Sequence, residues 1–196
     1  MVQDPLLGWS SIGIFTSLGF ITLYLAKYAG FYEQRDTASQ KSGVLLAISL
    51  GIVTGLMIIG NSVYLEFPNI HIPFPHSVPV YFIAGSLLEI KLHLIPLILG
   101  TWLFSFVFFK TNFNANVFWI IAILTCVYEP YNQVIAMSSM GLISGLWLKI
   151  AMAVFVFITN IIPLILFKRY GFLPFILYRF TDYLLWHFIW PLVYFT

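Results

Sequence analysis

Residues 84–100 read AGSLLEIKLHLIPLILG, and the fold of the chain turns on how this stretch is understood. Its flanks are as apolar as a lipid tail, yet Glu89, Lys91 and His93 fall within it. The remainder of the chain excludes water as the main solvent. Of 196 residues, 61% are hydrophobic, 19% aromatic and only 8% charged, whereas a soluble domain carries roughly a quarter charged residues. A hydrocarbon core of about 30 Å needs roughly 20 apolar residues per helix. That leaves room for six spans with short connections. The expected fold is therefore all-α: a polytopic membrane helix bundle, one integral domain over residues 1–196. Spans are expected at about 9–29, 43–65, 79–109, 114–138, 142–167 and 171–195.

The formal net charge of +2 is too small to suggest a nucleic-acid partner, so membrane lipid is the expected surrounding. The single cysteine, Cys126, lies in an apolar run, so no disulfide framework exists. The opening MVQDPLLGWSS lacks the basic n-region of a signal peptide. The first apolar run, IGIFTSLGFITLYLA, is thus expected to be a retained helix. Between the first two spans lies GFYEQRDTASQKSG, the one clearly hydrophilic connection. The second connection, EFPNIHIPFPHSVPV, is proline-rich and expected to run extended or along the interface. Pro96 is expected to kink the third span or let it tilt, and Pro130 to bend or end the fourth. Lys27, Arg35 and Lys41 flank the first connection, Lys110 the third, and Lys168 with Arg169 the fifth. The second and fourth carry no lysine or arginine, although Lys149 lies near the outer end of span five. By the positive-inside rule the odd connections face the cytoplasm and both termini lie outside. This describes a multi-pass protein of the cell membrane.

An ionisable group at the centre of a span costs about 2.5–3.5 kcal/mol on insertion scales and usually faces protein or a wet cavity. Glu89 and His93, four apart, share one helix face, and Lys91 is turned about 200° away at 3.6 residues per turn. Further polar residues come from VYEPYNQ (Glu129 and Asn132), FITNIIPL (Asn160) and YRFTDYLLWH (Arg179, Asp182 and His187). All are expected to converge on one intramembrane site. Structural readings stay open beside this. Arg179 and Asp182 form an ion pair within one helix, Glu129 sits at the membrane surface, Asn160 makes an interhelical hydrogen bond, or His187 anchors at the interface between Trp186 and Trp190. His71 and His76 are expected to be solvated in their connection.

The pattern GSLLEIKLHLIPLILGTWL resembles the first motif region of the CAAX-processing and bacteriocin-immunity intramembrane endopeptidases, and FKRYGFLPFILYRFTDYLLWHFIWP resembles their last. VYEPYN and FVFITNIIPLILFKRYG fall where the middle motifs lie, so the resemblance covers roughly residues 79–190. The family's E-E-x-x-x-R reads here Leu88-Glu89-Ile90-Lys91-Leu92-His93. Its F-x-x-x-H falls on Tyr128 to Asn132, and its H-x-x-x-N on Arg179 to Tyr183. Only one hallmark glutamate is retained. The resemblance implies an intramembrane-protease-like bundle in which Glu89 activates water, with Asn132, Asn160 and Arg179 as oxyanion donors. His93 would tune or share the Glu89 proton, and Tyr128, Glu129, Asp182 and His187 would support the site or bind substrate. It equally implies a catalytically silent relative that binds a membrane peptide or partner, as an immunity or scaffold protein does. No metal and no cofactor are expected. The competing class is a small transporter or proton-relay subunit built on the same Glu, His, Asp and Arg residues. The absence of an internal repeat weighs against it. A haem held by His93 and His187 is the remaining alternative.

Overall fold

The computed structural model describes residues 8–31 and 37–194, and every regular element among them is helical. Helix α1 covers Trp9–Tyr28 and α2 covers Thr37–Tyr64. The third span is α3 (Ser77–Glu89), a π turn (Ile90–Leu94) and α4 (Ile95–Phe109). The fourth is α5 (Ala115–Thr125) and α6 (Tyr128–Ser139), and the fifth is α7 (Leu146–Tyr170). The sixth is α8 (Phe172–Tyr183), a second π turn (Leu184–Ile189) and α9 (Trp190–Tyr194). Among the described residues, five of these segments are long and apolar enough to cross a bilayer. The sixth is of comparable length but carries Arg179, Asp182 and His187.

The surface matches that solvent: Phe20, Leu45, Val53, Phe108, Ile120 and Val154 are all exposed. Large apolar side chains exposed on so many helices suit a protein that faces lipid. Arg35 of the first connection lies outside the described residues. Lys27 lies in the last turn of α1, and α2 starts at Thr37, well ahead of the expected position 43.

Prolines place the irregularities. A helical proline removes one N–H and pushes its ring against the carbonyl four residues earlier. Pro96 and Pro191 each lie two residues past a π turn, so their clashes fall on Leu92 and His187, inside those turns. Local widening of the helix accommodates this without ending it. Pro130 acts on the carbonyl of Cys126, and there the fourth span breaks, between α5 and α6. Between Tyr64 and Ser77 the proline-rich connection is non-helical as far as a short turn before α3.

Two sets of contacts position the polar centre. Helix α2 packs on α8 more extensively than any other pair meets, and small residues allow it. A Cβ on Gly51 would lie 2.7 Å from Thr181 Cβ and from the Tyr178 carbonyl, and one on Gly55 2.8 Å from Leu185. Gly51 and Gly55 form the small-xxx-small spacing that lets membrane helices approach closely. Across that seam the Thr54 and Tyr178 hydroxyls are hydrogen-bonded at 3.0 Å. On the other side, Gly85 of α3 fits directly against the Tyr183 ring. An apolar core of Leu94, Leu97, Ile98, Phe118, Leu164, Phe167 and Phe175 fills the space toward α1 and α5.

The odd-numbered connections meet at one end. Phe31 and Phe113 have ring centroids 5.0 Å apart. Lys168 donates to the Phe31 carbonyl at 2.8 Å, with its ammonium 3.9 Å over the Phe113 ring. Phe31 and Phe113 belong to the first and third connections, and Lys168 to the last turn of α7, which leads into the fifth.

Candidate functional site

Arg179 is the hub. Its Nε donates to Glu89 Oε1 at 2.5 Å, and its Nη2 donates to Asn160 Oδ1. Nη1 reaches Asp182 Oδ2 at 3.5 Å, and Nη2 lies 3.9 Å from Glu129 Oε2. One planar guanidinium therefore ties together α3, α6, α7 and α8. Arginine suits this task because its donors spread in a rigid fork and it stays charged. Glu89, Asn160, Arg179 and Asp182 are all buried, with Glu89 at 3% exposure. Glu89 is thus no lipid-facing carboxylate. His93 Nδ1 lies 3.2 Å from the second oxygen of Glu89, and this imidazole is sealed in the bundle.

The hub forms the inner wall of a cavity of about 240 Å³ between α2, α6, α7 and the sixth span. Glu129, Asn160, Arg179, Asp182 and His187 line it. Glu89 and His93 do not: they lie behind Arg179. Several buried polar atoms at the cavity make no hydrogen bond, namely Glu129 Oε2, Asn160 Nδ2 and His187 Nδ1, the first having only its long ion pair with Arg179. Such atoms are costly unless a guest or solvent completes them.

The structure gathers most of the residues expected at the site but not all. Asn132 is exposed, and its amide donates to the carbonyl of Tyr128 within its own helix at 3.1 Å. The reason is helical phase. The face of α6 that meets the cavity carries Glu129, Gln133 and Met137, four residues apart. At 100° per residue, Asn132 falls about 100° from Gln133. Tyr128 is also turned outward, in a shallow groove beside Lys91, Pro96 and Phe104. Neither residue takes part in the site. Lys91 points away from Glu89 as expected, with its ammonium 5.5 Å over the Phe15 ring. Glu129 does not stay at a membrane surface, because its carboxylate approaches the hub near the middle of its span. Arg179 and Asp182 are paired, yet within a network of four helices rather than one.

His187 stacks on Tyr81 with ring centroids 3.8 Å apart, and His71 of the second connection lies 5.5 Å from it. His71 is half-buried against Trp186 at 4.6 Å rather than fully solvated, and that burial lowers its pKa from the ordinary 6.5. His76 stays exposed. Because His93 is absent from the cavity wall while His187 lines it, the two histidines share no space in which to hold a haem. Among the described residues, no group of three His, Cys, Asp or Glu side chains is placed to hold a metal ion.

Sequence reasoning missed the contribution of α2, whose Ile58, Asn61 and Ser62 close one side of the cavity. It also missed the stack of Tyr81 on His187. The Gly51–Gly55 spacing was the available signal for α2. Compared with known proteins, the chain matches no family model, no curated protein and no solved structure.

Proposed function

We propose that this chain is a multi-pass membrane protein that binds a membrane-embedded peptide or protein segment in its cavity. On this reading it is a catalytically silent protein resembling the CAAX-processing and bacteriocin-immunity endopeptidases. The single observation that carries the reading is the placement of Glu89. A general base must present a lone pair to water held against the scissile carbonyl. Here Arg179 takes one carboxylate oxygen, His93 abuts the other, and neither Glu89 nor His93 lines the cavity. An arginine at position 179, where the resembled motif has histidine, favours fixing that carboxylate over cycling its proton. The basic residues Lys27, Lys41, Lys110, Lys168 and Arg169 support an orientation with the odd connections in the cytoplasm, in the cell membrane.

The test uses the protein reconstituted with single-span peptides in phosphatidylcholine vesicles. Wild type is expected to cleave none of them beyond the Glu89→Gln variant. A photo-reactive residue at cavity-lining Phe155 is expected to cross-link the peptides far more than one at lipid-facing Val154. Peptide cleavage that disappears in Glu89→Gln would overturn the reading.

One observation favours a second function, proton relay. Titratable groups continue from Asp182 through the Tyr183 ring to His187, 5.1 Å away, and on to His71. Proton flux into dye-loaded vesicles that His187→Phe abolishes supports the relay, and its absence in wild type removes it.

A further inference from the structure

The cavity has two kinds of wall. Glu129, Asn160, Arg179 and Asp182 form a polar floor, and Phe67, Phe155, Tyr183 and Trp186 stand around it. Two carboxyl groups at the floor, Glu129 and Asp182, share one guanidinium with Glu89, which lies behind it. Asn160 is 1% exposed, and its Nδ2 has no hydrogen-bond partner. Asp182 is equally buried, and its Oδ1 takes no side-chain hydrogen bond. Glu129 Oε2 makes no hydrogen bond and has only Arg179 Nη2 at 3.9 Å. Carboxyl oxygens in excess of cationic donors, ringed by aromatic faces, are the elements that recognise an organic cation.

Depth narrows the class of guest. Glu129, Asn160 and Asp182 each lie near the middle of their helical segments. The floor is therefore about half a bilayer thickness from either surface, out of reach of ordinary lipid headgroups. A volume of about 240 Å³ falls below the ~300–1,000 Å³ of drug-sized pockets and suits one side chain.

We propose that the cavity receives the basic side chain, lysine or arginine, of a membrane-spanning segment of another polypeptide. The proposal rests on the peptide-binding reading above and names the group that is bound. A basic residue in the middle of a span is costly unless a partner supplies a counter-charge, and Glu129 and Asp182 supply it at that depth. Asn160 Nδ2, a donor, is available to a backbone carbonyl oxygen of the same segment rather than to its basic side chain.

The protein is reconstituted in phosphatidylcholine nanodiscs with a fluorescent single-span Leu/Ala peptide carrying one central Lys, and separately with the same peptide carrying Leu there. The Lys peptide is expected to bind at least about tenfold more tightly. Glu129→Gln is expected to erase the difference. Glu129 is partly exposed, so this change leaves the Arg179–Glu89 pair in place. Gln133→Lys, which tethers an ammonium at the cavity wall, serves as a second variant and is expected to block the Lys peptide alone. Equal affinities for the two peptides overturn the proposal while leaving peptide binding standing. If neither peptide binds, both readings fall. If replacing phosphatidylcholine with phosphatidylethanolamine abolishes the preference, a lipid amine is the guest and the proposal is likewise overturned.

Discussion

Residues 90–94 and 184–189 are wound alike as π turns, each holding a histidine and each followed two residues later by a proline, yet their surroundings are opposite. His93 is sealed in the bundle beside Glu89, behind Arg179. His187 lines the cavity, stacked on Tyr81 and close to His71. The same backbone device therefore does two jobs. In the first turn it fixes a carboxylate against its partner, and in the second it presents an imidazole to a space. What separates them is the neighbour: α1, α4 and α5 pack closely around the first, whereas the second meets α2 and a non-helical connection.

Arg179 holds Glu89, which immediately precedes the first turn, and Asp182, two residues before the second, so removing it is the strongest way to break the contrast. Arg179→Leu leaves three carboxyl groups without their cation, and loss of one partner from a buried pair costs about 3–5 kcal/mol. Unfolding in mixed detergent micelles is expected to show a drop of that size. A change under about 1 kcal/mol would mean that the network does not join the helices. Next in size is Gly55→Ile, which drives a branched side chain into Leu185 of the second turn. Overpacking of this kind costs about 1–3 kcal/mol. Peptide binding is expected to fall with it, while binding is kept in Gly60→Ala, whose added Cβ meets nothing.

His93→Phe and His187→Phe sharpen the comparison directly. The first removes the imidazole beside a buried carboxylate and is expected to cost about 1–3 kcal/mol. The second keeps a ring to stack on Tyr81 and is expected to cost less than about 1 kcal/mol. If both variants lose the same stability, the two turns are equivalent and the distinction is wrong. The smallest effect concerns pH. Burial holds the His71 pKa below 6.5, so His71 is neutral in the folded protein at neutral pH. Its contribution is present above that value and lost as pH falls through the lowered pKa. The fluorescence difference between wild type and His71→Asn, which reports Trp186, is expected to titrate with a midpoint below 6.5.

Much of this was legible because charges in an apolar run stand out against their background. Glu89, Asn160, Arg179 and Asp182 could be singled out from the sequence, and they do meet. The helical segments follow from hydropathy for the same reason. Asn132 was misplaced because the fourth span breaks ahead of Pro130, and spacing alone cannot fix the rotation of the helix that restarts at Tyr128. The part of α2 in the cavity depends on which helices become neighbours, which no local pattern encodes. Gly51 and Gly55 carried a readable sign of close approach, though not of its partner. The π turns leave no mark in hydrophobic periodicity, and only the prolines that follow them betray their positions.

Lys168 has a consequence for how the molecule can move. Anchored to the Phe31 carbonyl and capped by the Phe113 ring, it rivets two loops to the end of α7 as a single pivot. The chamber lies toward the far rim, where the stretch between Tyr64 and Ser77 lacks regular winding. Any parting of the helices to admit a guest is therefore a splaying from that rim, with the riveted end as its fulcrum.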